Sequence, residues 1–138
     1  MRGVVTLTHP GIFLLYLPMS DFSQRLLATK SAYPFDRWKE SDLPQYTDEA
    51  CVGFLHIFDE LIARLIALGE NASAEDKLAA FESAVRALNR LNEKDSSLIE
   101  TGEREDLCKL CNTIATAAGL NPEDYGDGEG PASEWRDW

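Results

Sequence analysis

The chain has 138 residues with an apolar content ordinary for a soluble globular protein, enough for one domain with its own core. Its 24 acidic residues against 13 basic ones leave a formal net charge of −11. Nucleic-acid phosphates and anionic lipid would both be repelled at long range, so neither is expected as a partner; the charge suits a well-solvated surface or a basic protein.

Residues 1 to 18 differ in character from the rest of the chain. Gly11 to Met19 is an apolar run bounded by Pro10 and containing Pro18, too short for the roughly 20 residues a membrane helix needs. Arg2 is a thin basic region for a secretory signal, and Leu17-Pro18-Met19 is not a small-residue cleavage site. The segment reads as an extension ahead of a domain at 19–138, with an ordered arm or a targeting segment as alternatives. Ser20 or Asp21 can then cap a helix carrying Phe22, Leu26 and Leu27. It must end near Ala32, because Pro34 forces Tyr33 out of helical conformation. Tyr33 to Gln45 reads as a loop or a short turn of helix. Its Tyr33, Phe35 and Trp38 are expected to form a lid over the core.

The strongest periodicity runs from Asp48 to Leu68. Cys51, Phe54, Leu55, Phe58, Leu61, Ile62, Leu65 and Leu68 recur at spacings of three and four, and Ile57 and Ile66 widen the face. Thr47 can cap this helix, Tyr46 and Cys51 can staple its start, and Gly69 can stop it. A stripe this broad predicts a central helix covered on more than one side. Ser73 with Asp76 opens a second helix through Leu78, Phe81, Val85, Leu88 and Leu91, antiparallel to the first because the Gly69–Ala72 link is short. Glu82 and Arg86 are spaced to pair on it. Leu98 and Ile99 are expected to tuck inward from the next connection. A further helix starts at Thr101 or Gly102, buries Leu107, Leu110, Cys111, Ile114 and Ala117 or Ala118, and ends at Gly119.

The tail, Asn121 to Trp138, is acidic, and Gly126, Gly128 and Gly130 prevent a sustained helix. Tyr125, Trp135 and Trp138 are not residues of a disordered tail, so the aromatics are expected to fold it back onto the bundle. Tryptophans beside carboxylates suit a protein partner, which makes Glu129, Glu134, Trp135, Asp137 and Trp138 the candidate binding residues.

Signals for catalysis are weak. Cys108 and Cys111 form a C-x-x-C two turns into a helix and in register with its apolar stripe, where packing explains them better than redox chemistry or zinc. Three cysteines, with Cys51 the third, make no disulfide framework; reduced thiols in a cytoplasm are expected. His56 and Glu60 share a helix face, without a second histidine nearby. No catalytic residue, metal ligand or cofactor is assigned.

The segments Ser97-Leu98-Ile99-Glu100-Thr101, Glu103-Arg104-Glu105-Asp106-Leu107-Cys108 and Glu134-Trp135-Arg136-Asp137-Trp138 resemble an uncharacterised family of small acidic bacterial α-helical proteins ending in Glu-Trp-Arg-Asp/Glu-Trp. The resemblance covers about the last 40 residues, with the central helix pair more loosely included, and implies no activity. In size, acidity and lack of a catalytic signature the chain is also similar in type to immunity proteins, which bind and block a toxin. The expectation is therefore an all-α, single-domain bundle of about four helices with an ordered acidic-aromatic tail. Its leading function is non-enzymatic binding of a basic toxin or nuclease. The alternatives are a small metal-binding or enzymatic protein using His56 and Glu60 or Cys108 and Cys111, and a structural homodimer.

Overall fold

The computed structural model of the chain describes residues 19–41, 43–94 and 98–138; the N-terminal extension, Asp42 and residues 95–97 lie outside it. The described residues form helices and turns with no strand among them. Helix α1 spans Asp21–Ala28, with the Ser20 hydroxyl accepting from the Ser23 amide at 3.1 Å, and tightens into a 3₁₀ turn at Thr29–Ala32. Tyr33 is extended ahead of Pro34, as the proline requires. Helix α2 is the single turn and a half Phe35–Lys39. Helix α3 spans Asp48–Leu68, Thr47 accepts from the Ala50 amide at 3.1 Å, and Gly69 leaves it at φ 89°. Helix α4 spans Ala74–Lys94, opened by Ser73 accepting from Asp76 at 3.0 Å.

Helix α5 spans Thr101–Ala117. Its N-terminus is closed by a reciprocal pair of glutamates: the Glu100 amide donates to the Glu103 carboxylate at 3.0 Å, while the Glu100 side chain takes the Glu103 amide. A glutamate in the capping position was not foreseen from a sequence offering Thr101 and Gly102. At the other end Gly119 (φ 88°) lets the Leu120 amide reach Ala115 and its own amide reach Thr116, satisfying carbonyls of the last turn.

The apolar stripe of α3 is covered on two sides. α4 runs antiparallel along one, placing Leu91 against Gly53 and Ser83 against Arg64. α1 and α2 cover the other. Phe54, Phe58, Phe81, Leu65, Leu88 and Ile114 are fully buried in one continuous core. The lid forms as expected: Phe35 stacks on Phe54 at 5.6 Å, and Trp38 meets Phe54 edge-on at 5.1 Å and stacks on Tyr46 at 5.6 Å. Leu98 and Ile99 are buried. Helix α5 packs on α1 and on the Thr29–Ala32 turn, and the Asp106 carboxylate fixes α2 to it, accepting from the buried Trp38 indole at 2.8 Å and from Arg37 at 3.2 Å.

Lys77 is a departure from the expected pattern. It lies on the inward stripe of α4, four residues before Phe81, and is 5% exposed. Its ammonium donates to the Glu70 and Ala118 carbonyls, both at 2.8 Å, and lies 5.2 Å from the centre of the Phe22 ring. It thereby ties the α3–α4 link to the negative end of α5, where a cation is favoured.

Candidate functional site

The tail folds back as three 3₁₀ turns, Pro122–Asp124, Gly126–Gly128 and Pro131–Glu134, and the last packs against both α4 and α5. Its tryptophans are only half-buried, although both pack on the core. Much of its anchoring is through backbone groups. The buried Asn89 of α4 donates to the Trp135 carbonyl at 2.9 Å and accepts from the Asp137 amide at 3.0 Å. Asn112 of α5 donates to the Glu129 carbonyl at 3.0 Å, and Pro131 and Ala132 are buried in the turn that packs on α4 and α5.

This changes the meaning of the tail acids. Glu134 accepts from the Gly126 amide at 2.6 Å and closes the turn that precedes it. Glu129 accepts from the Ser133 hydroxyl at 3.2 Å and pairs with Arg136 at 3.7 Å, while the Arg136 guanidinium lies over the Trp138 ring. All three candidate carboxylates are exposed, and Glu134 and Asp137 take no ion pair among the described residues. Beside the tail lies a shallow groove of about 610 Å³ along α5, where Arg104, Lys109 and Arg136 interleave with Glu105 and Glu129 over Cys108. The five proposed residues therefore share one region, with the three carboxylates exposed and Arg136 standing among them.

A second groove, of about 350 Å³, lies between α2 and α3. Its floor is Phe35 and Cys51, its side is the half-buried Tyr33, and its lip is Val52 and Leu55. Val52 is 61% exposed and Leu55 40%, although Leu55 is in register with the core stripe. Asp36 and Asp48 stand on its rim, and Lys39 reaches Asp48 at 2.6 Å across one end. The Tyr33 hydroxyl donates to Asp59 at 2.8 Å, and Lys30 pairs with that carboxylate at 3.3 Å. Burial first, then the Asp59 hydrogen bond and charge, pushes the Tyr33 phenol well above its ordinary range.

The chemistry-bearing candidates stay apart. His56 and Glu60 meet at 3.3 Å, but both are exposed on α3. Cys111 is fully buried and Cys108 half-buried; all three thiols are free. Burial pushes all three thiols up, which works against thiolate chemistry. Among the described residues, no group of three or more histidines, cysteines and carboxylates could hold a metal ion, and no helix is long and apolar enough to cross a membrane.

Comparison of the chain with protein families, characterised proteins and solved structures finds no match in any of the three.

Asn89, Asn112 and Lys77 were not singled out from the sequence, although each carries a signal. Asn89 follows Val85 by one turn and Lys77 precedes Phe81 by one turn, so both are polar residues on a buried stripe. Asn112 stands one turn beyond Cys108 on the face that receives the tail. Val52 and Leu55 show the converse. Spacing cannot separate an apolar residue that packs from one that stands at the lip of a groove.

Proposed function

We propose that the chain is a non-enzymatic binding domain for a basic protein, of the kind in which an acidic inhibitor holds a basic toxin or nuclease. The observation that supports this reading is the state of its carboxylates. Asp36, Glu49, Glu123, Asp124, Asp127 and Asp137 are exposed and take no ion pair among the described residues. A net charge of −11 spread in this way accelerates encounter with a cationic surface more than it adds to final affinity. The test is capture of native partners on the immobilised full chain, followed by association kinetics with each purified candidate. A basic protein binding one to one, with an association rate that falls steeply as salt rises, is the expected result. Partners that are not basic, or a rate indifferent to salt, would refute the reading.

A further inference from the structure

Within that binding function, on which this inference rests, we infer that the groove between α2 and α3 is the docking site, and that it takes an amphipathic segment with two or three apolar side chains flanked by lysine or arginine. The groove offers what a hot spot requires: a concave apolar floor, a rigid wall and a charged rim. Val52 and Leu55 lie one helical turn apart on α3, so their side chains continue the floor of Phe35 and Cys51 outward into solvent. The α2 wall does not have to form on binding. Trp38 is locked to Asp106 at 2.8 Å, and Phe35 is stacked on Phe54 beneath it. Preorganisation of this kind removes ordering cost from the complex.

The rim selects the sign of the occupant. Asp36 and Asp48 line the groove, Glu49 is exposed one turn before Val52, and Asp59 lies one turn beyond Leu55. Lys39 and Lys30 offset Asp48 and Asp59, which leaves Asp36 and Glu49 unpaired among the described residues and the rim net negative. A second copy of the chain would bring like charges together across the same groove, and an anionic lipid surface would meet the same repulsion. A helical segment with apolar residues at i, i+3 and i+7 and cations on its flanks satisfies both the floor and the rim.

The probe is a synthetic helical peptide with leucines at that spacing and lysines elsewhere, titrated into the full chain and followed by fluorescence anisotropy and amide chemical shifts. Shifts centred on α2 and the first half of α3 are expected. The double variant Val52→Gln/Leu55→Gln, at solvent-facing positions where glutamine keeps helix propensity, is expected to weaken binding at least tenfold with an unchanged melting temperature. Asp36→Asn/Glu49→Gln, which leaves the apolar floor intact, is expected to flatten the salt dependence. If the peptide binds the Gln double variant as tightly as the parent, the groove is not the site, while the basic-partner reading stands. If the lysine-rich peptide does not bind even at low salt, the docking inference fails, while the basic-partner reading is decided separately by the native-partner capture. A dimer in sedimentation that the Gln double variant dissolves would overturn the inference in favour of a second copy as occupant.

Discussion

Replacing Lys77 by methionine removes one ammonium and leaves a flexible apolar chain to fill most of the space. Two opposing effects decide the outcome. The parent ammonium is almost entirely out of water, and desolvating a cation costs several kcal/mol. Against this stand two charge-assisted hydrogen bonds to the Glu70 and Ala118 carbonyls, each contributing about 1.5–3 kcal/mol, and the Phe22 ring at 5.2 Å, which adds roughly 1 kcal/mol. Methionine relieves the desolvation but strands the buried Ala118 carbonyl at the end of α5, at about 1–3 kcal/mol, and frees the part-buried Glu70 carbonyl of the α3–α4 link, which water can reach at less cost. The net expectation is a loss of about 2 kcal/mol. With roughly 2.1 cal/mol/K of unfolding entropy per residue, that is about 7 °C in Tm for 138 residues. Urea titration should show the midpoint falling with no change in slope, because the folded surface is unaltered. A Lys77→Met protein as stable as the parent, or more so, would show that the desolvation cost outweighs the two bonds and that Lys77 does not clamp α5 to the α3–α4 link.

Two further predictions test other parts of the structure. Gly130→Ala should cost about 3 kcal/mol in thermal unfolding, because φ is 120° and a methyl there would strike the Asn112 carboxamide that holds the Glu129 carbonyl; a loss under about 1 kcal/mol would mean the tail is held otherwise. Tyr33 stays protonated above its ordinary range in the fold, whereas in the unfolded chain it ionises near pH 10, so its contribution to stability is complete below about pH 10 and declines as pH rises beyond it. In a difference titration of the parent against Tyr33→Phe, read by phenolate absorbance and circular dichroism together, the Tyr33 phenolate should appear only as helix is lost; its appearance with the helices intact would contradict the burial and the Asp59 hydrogen bond.

Much of the helical architecture was legible in the sequence because it depends on local chemistry. Thr47, Ser73, Ser20 and the Pro34 constraint act within a few residues of themselves, and the spacing of Phe54, Phe58, Leu61 and Leu65 marks a buried face wherever the chain is placed. The lid was legible for the same reason, since three large rings in a short connection have few places to go but onto the core. What tertiary structure alone decided are the contacts between residues distant in sequence. Asn89 reaches Trp135 and Asp137, Asn112 reaches Glu129, and Lys77 reaches Ala118, pairings that no spacing rule encodes. The candidate site divides along the same line. Acidity and aromatic content are properties of composition, and they pointed to a basic partner and to the tail. Whether a carboxylate is left free for a partner or also bonds a group of its own chain depends on the folded geometry, which keeps Glu129 and Glu134 exposed yet engages them with Ser133, Arg136 and the Gly126 amide, and leaves Val52 and Leu55 beside Asp36 at the surface.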